Sequence, residues 1–139
     1  MAAYEAYFAS LTPETVADLH GLAIADMRFR DPFNDVRGVE KVIRLLLMSF
    51  EDTEGMRFEF IDRAVSGQVC YYRWRCLFTP KRMPKSGIWT FDGMSEVAFD
   101  AEGRVLSHID HWDASTQFYA RLPVVGSLIR LVRRRLAVD

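Results

Sequence analysis

The chain has 139 residues and a mass of 16.1 kDa, half of it hydrophobic and 27% charged, which excludes disorder and leaves room for one domain. A net charge of −1 and a pI near 6.3 exclude the global basic field that draws in nucleic acid. The charge is unevenly placed, however. Residues 121–139 hold five arginines against one acid, Asp139, a net of +4, while residues 1–120 hold 13 basic and 18 acidic side chains, a net of −5. Aromatic residues reach 13%, more than a plain core of this size needs, and they point to an apolar cavity.

The first half has helical spacing. Tyr4, Tyr7, Phe8 and Leu11 share one helical face, and Thr12-Pro13 predicts the start of a second helix that carries Val16, Leu19, Leu22 and Ala23. A short extended piece, Met27 to Arg30, ends at Asp31-Pro32, because proline pushes the preceding residue out of the helical region. A third helix is predicted from Val39 to Phe50, with Val42, Ile43, Leu46, Leu47 and Phe50 inward and Glu40, Lys41, Arg44 and Glu51 outward.

The period then falls to two. Strands are predicted over 57–65, 68–78, 87–99 and 104–113. The second puts Cys70, Tyr72, Trp74, Cys76 and Phe78 on one face, and the third groups Trp89, Phe91, Ser95 and Val97. The fourth groups Leu106, His108, Asp110 and Trp112. Asp100 to Gly103 is a tight turn between the last two strands. Beyond Ala114 helical spacing returns, with Val125, Leu128, Ile129, Val132 and Leu136 on one stripe and Arg130, Arg133 and Arg134 on another. The prediction is an α+β domain over 1–120, a curved antiparallel sheet against amino-terminal helices, followed by a basic amphipathic helix over 121–139, docked on the domain or extending from it.

Cys70 and Cys76 stand on one strand about 20 Å apart, too far for a bridge. With no disulfide framework, no basic leader before an apolar stretch and no apolar run approaching 18 residues, a reduced, cytoplasmic setting is expected.

This order resembles the nuclear transport factor two-like superfamily, and within it the SnoaL-like and ketosteroid isomerase-like branches. The residues that carry the resemblance are Arg30-Asp31-Pro32-Phe33, Gly38 to Ile43, Phe99 to Ser107 and Trp112-Asp113, and it spans roughly residues 4–114. It implies a cone-shaped sheet, a cystatin-like α+β roll, around a deep apolar pocket. It implies further that Asp31 is the general base and Tyr7 the oxyanion donor. The isomerase's second donor, a protonated carboxylic acid, falls here on Ser95, a departure that argues against steroid isomerisation. The outer sheet face of such proteins commonly pairs, so a homodimer is expected near Tyr71, Arg73 and Arg75.

The residues themselves leave two readings at each place. Asp31 is either a base made stronger by desolvation or a turn-former before proline. His108 and Asp110, two apart on one strand face, are either an acid–base dyad or a buried polar network, or a structural pair with Arg28 or Arg30. His111 points the other way. His20, His108, His111, Asp110 and Asp113 do not cluster into a ligand set, so no metal is expected, nor any other cofactor. Tyr7, Tyr72, Trp74, Trp89 and Trp112 are expected to line a ligand cavity. Lys81, Arg82 and Lys85 read as a solvated turn, and the last helix as docked, or as a contact for a membrane or an acidic partner. The functional expectation is a small-molecule-binding protein, a cofactor-free isomerase, cyclase, hydrolase or dehydratase moving a proton on an apolar carbonyl or polyketide-like substrate. The alternative is a non-catalytic binding or accessory protein of the same fold.

Overall fold

The change of period along the chain produces two layers in the computed structural model, which describes residues 1–138. Helical spacing gives α1 (Ala2–Ala9), a 3-10 turn over Val16–Gly21 and α2 (Val39–Asp52). Alternation gives β3 (Thr53–Ser66), β4 (Val69–Pro80), β5 (Trp89–Phe99) and β6 (Val105–Trp112), after the earlier β1 (Ala23–Arg30) and β2 (Asp35–Arg37). Then come α3 (Ala114–Gln117), a 3-10 turn over Tyr119–Arg121 and α4 (Pro123–Leu136). The strands form one curved, unclosed sheet in the order β2-β1-β6-β5-β4-β3. The class is α+β. One pairing departs from the antiparallel expectation: β1 runs parallel to β6, which makes the sheet mixed.

Local chemistry sets the ends of α2. Gly38 precedes it at φ +103°, a conformation that a side chain would resist. Val39, Val42, Ile43 and Leu46 are buried against the sheet while Glu40, Lys41 and Arg44 stay outside. At the far end the Thr53 hydroxyl donates to the Ser49 carbonyl at 2.6 Å, so the chain passes straight into β3. The helix predicted from Thr12-Pro13 is only a 3-10 turn. Val16 and Leu19, three apart, both lie fully in the core, and 3-10 geometry eclipses that spacing.

Strand β6 corrects a second expectation. Strict alternation puts Leu106 on the inner face with His108, but Leu106 is 38% exposed and Val105 is 0% exposed. The β5–β6 register shifts between Ala98 and Phe99, where Phe99 pairs with Val105 and Ala98 with Ser107. The extra residue turns Leu106 outward and leaves His108 and Asp110 inward. The Asp100–Gly103 turn forms as predicted: Asp100 accepts from the Glu102 and Arg104 amides, and Gly103 takes φ +82°. Both cysteines are free and buried on the inner face.

This register makes a measurable distinction. Val105→Asn places an amide in the core and is expected to cost about 3 kcal/mol or more in urea unfolding, whereas Leu106→Asn stays within about 0.5 kcal/mol. Equal costs for the two substitutions would contradict the bulge.

Candidate functional site

Rows across the sheet assemble the site. On β1 and β6, Phe29 stands opposite His108 and Arg30 opposite Ile109. One residue further, Asp31 comes alongside Asp110, and the two-residue alternation turns Phe29, Asp31, His108 and Asp110 to one face. On β5, Ser95 faces Asp110 and Gly93 faces Trp112. On β4, Tyr72 faces Ser95 and Trp74 faces Gly93. This inner face and one side of α2 border an open cavity of about 570 Å³, whose wall includes Phe29, Leu45, Met56, Phe58, Phe60, Trp74, Phe91 and Trp112 around Asp31, Ser95, His108 and Asp110, with Lys41, Arg44 and Asp52 on the α2 side.

The polar groups form one connected chain. Trp74 Nε1–H donates to Ser95 Oγ at 2.8 Å, and the Ser95 hydroxyl donates to Asp110 Oδ1 at 2.5 Å. His108 Nε2 lies 2.7 Å from the same Oδ1. A carboxylate can only accept, so in the neutral imidazole the proton sits on Nε2 and Nδ1 is left to accept. Its donor is the Tyr4 hydroxyl, at 2.7 Å. Burial, and after it the negative charge of Asp110, raise the Tyr4 pKa well above its ordinary value, so this hydroxyl keeps its proton and donates. Among the described residues Asp110 Oδ2 makes no hydrogen bond, and Asp110 lines the cavity.

Asp31 forms the turn, and it also stands at the cavity. Its Oδ1 accepts from the Phe33 amide at 2.8 Å, the Asn34 amide at 2.7 Å and the Asn34 side chain at 3.1 Å, which makes it the turn-former. It also lines the cavity. Desolvation raises its pKa and the charge of Asp110 adds to the rise, against the hydrogen bonds that lower it. The alternative pairing of His108 and Asp110 with arginine does not occur: Arg28 makes a two-point contact with Asp35 at 2.8 and 2.6 Å on the outer surface, and Arg30 forms no ion pair among the described residues.

The other expected residues divide. Tyr72, Trp74, Ser95 and Trp112 line the cavity, and the Tyr72 hydroxyl is occupied by the Met1 carbonyl at 2.8 Å. Tyr7 does not line it. Its hydroxyl donates to the Val16 carbonyl at 2.8 Å, so it fastens α1 to the following 3-10 turn. Trp89 lies outside the wall as well, buried beside Phe78, Phe91 and Phe118 with its Nε1–H on Ser86 Oγ. The residue that sequence reasoning missed is Tyr4. It shares a helical face with Tyr7, so spacing cannot tell which of the two reaches β6. Cys76 also borders the cavity, with its thiol pushed up to about 12 by burial.

A family model described as a SnoaL-like domain matches residues 4–108. Among solved structures, a protein of ketosteroid isomerase-like fold from Catenulispora acidiphila, in complex with trimethylamine, superposes with a TM-score of 0.70 at 13% identity, covering 84% of this chain and 86% of that one. An LEH-like epoxide hydrolase from M. tuberculosis gives 0.68 at 17% identity, covering 99% and 93%. A candidate SnoaL-like polyketide cyclase from Shewanella putrefaciens gives 0.68 at 16% identity, covering 81% and 88%. Identities this low speak for the fold alone. No curated protein matches the chain.

Two substitutions probe the wall and the network. A Cβ on Gly93 would lie 2.5 Å from the Trp74 ring and 3.0 Å from Trp112 Cβ, so Gly93→Ala is expected to displace the indole and cost about 1–3 kcal/mol. Loss of stability with unchanged near-ultraviolet circular dichroism would contradict that displacement. Tyr4→Phe strips the buried His108 Nδ1 of its donor and is expected to cost a similar 1–3 kcal/mol in chemical denaturation. A variant as stable as the wild type would show the bond to be dispensable.

Proposed function

The chain belongs to the SnoaL-like domain family, and from that premise we propose that its cavity is a small-molecule site. In it Asp110 acts as general base on an apolar carbonyl or polyketide-like compound, without a cofactor. One observation carries the reading: the two donors to Asp110 converge on Oδ1, and Oδ2 is left toward an apolar cavity. A fixed carboxylate oxygen in such surroundings is suited to removing a proton next to a carbonyl. Ser95 and His108 orient the base, and Tyr4 and Trp74 orient them in turn. Solved neighbours named as a candidate polyketide cyclase and a candidate isomerase agree with this chemistry.

Asp31 is the natural counterpart. Its affinity for a proton is raised by desolvation and by the charge of Asp110, which suits it to act in its protonated form. On abstraction, the carbon–hydrogen electron pair moves into the enolate and the proton goes to Asp110 Oδ2. Asp31 then donates to the developing oxyanion, the role that the resemblance gives to Tyr7. Return of the proton from Asp110 at a second carbon completes an isomerisation; attack of the enolate carbon on a second carbonyl, whose alkoxide takes that proton from Asp110, completes a ring closure.

The probe is 2-tetralone, an apolar ketone whose α-protons exchange in D₂O and are followed by NMR. The wild type is expected to accelerate exchange over free acetate, and Asp110→Asn to lower that acceleration by about 10²–10⁴-fold. An Asp110→Asn protein as fast as the wild type would remove Asp110 from the role of base. Quenching of tryptophan fluorescence by the ketone, without accelerated exchange in the wild type, would favour the non-catalytic binding protein.

A further inference from the structure

Helix α4 is amphipathic, and the fold leaves its apolar side bare. Val124, Val125, Leu128, Leu131, Val132 and Leu136 are all exposed, Leu128 at 61% and Leu136 at 79%. At 100° per residue they cover an arc of about 140°. Arg130, Arg133 and Arg134 stand on the opposite side, and α4 contains no acid. The helix is held on this arginine side, near its amino-terminal end. Gly126 is buried so tightly that a Cβ would come within 2.4 Å of the Ala120 carbonyl oxygen. Arg130 Nη1 donates to that same carbonyl at 2.7 Å. The helix is thus fixed at its root and open along its apolar arc.

We propose that α4 lies in the headgroup layer of an anionic lipid bilayer, with its apolar arc against the acyl boundary and Arg133, Arg134 and Arg135 among the phosphates. The arc and the charges match the two parts of such a surface. Arg135, which falls inside the arc at the last turn, decides between occupants. At a bilayer its long stem lies along the acyl region while the guanidinium reaches the phosphates. Against a second copy of this chain it would be buried in the seam, between two helices of net charge +4 each. An acidic protein groove would satisfy the arginines on one side and leave the apolar arc on the other uncovered. The same surface repels the net −5 of residues 1–120, so the helix, rather than the sheet, sets the contact. The root of α4 adjoins the cavity wall: Phe118 lines the cavity and packs on Phe33 and Tyr119, one residue before Ala120.

The test is co-sedimentation of the full chain with vesicles of phosphatidylcholine alone or with added phosphatidylglycerol. Binding to the anionic vesicles is expected to exceed binding to the neutral ones by more than tenfold and to weaken as salt rises. The double variant Leu128→Asp/Leu131→Asp alters exposed positions, so it is expected to unfold at the wild-type denaturant concentration and to lose vesicle binding. Three results overturn the proposal: no binding to either vesicle, equal binding to both, or undiminished binding by the double variant. A wild-type dimer in light scattering that the double variant abolishes, without vesicle binding, assigns the arc to a second copy instead.

Discussion

The parallel pairing of β1 with β6 is the constraint on which the site depends. It joins a strand from the helical half of the chain to the last strand of the meander, and by register sets Phe29 against His108, so that Asp31, one residue past β1, reaches the same cavity as Asp110. Without it the two carboxyl groups would belong to separate parts of the chain. With it they share one wall, where the charge of Asp110 alters the proton affinity of its neighbours. Asp110 raises the pKa of both Asp31 and Tyr4. A parallel pair needs a long crossover, and here the crossover contains α2, which roofs the cavity that the pair helps to wall.

The second determinant is room. Gly93 lies between Trp112 and Trp74 in one row across three strands, and its missing side chain is the space into which the Trp74 indole extends. That position brings Trp74 Nε1 to Ser95 and begins the chain that ends at Tyr4. Every member has a partner, as a buried polar network must to avoid a heavy desolvation cost. The result is a carboxylate with one oxygen held and one presented.

The molecule therefore has two unlike parts with different solvents in view. The acidic domain turns its aromatic surplus inward around a few polar atoms. The basic helix turns its apolar side outward, held by a glycine contact rather than by a core.

Much of the fold was legible in the sequence because it rests on local periods. The α2 stripe, the inward face of β4 and the Asp100–Gly103 turn follow from side-chain spacing and backbone preference alone. So does the shared face of His108 and Asp110, two residues apart on an extended chain. What spacing cannot carry is contact between distant segments. Tyr4 and Tyr7 lie on one helical face, and only the packing of α1 on the sheet sends Tyr4 to His108 and Tyr7 to Val16. Leu106 left its predicted face because a bulge added one residue, and Trp89 packs against Phe78, Phe91 and Phe118, which line the cavity while it does not. Sequence by itself determined the residue types, the class of fold and the separation of acidic domain from basic helix, since these depend on composition and short-range geometry. Tertiary structure alone decided which hydroxyl meets the histidine, which carboxylate oxygen is presented and which helix face stays bare, since each depends on contacts that side-chain spacing within one element does not fix.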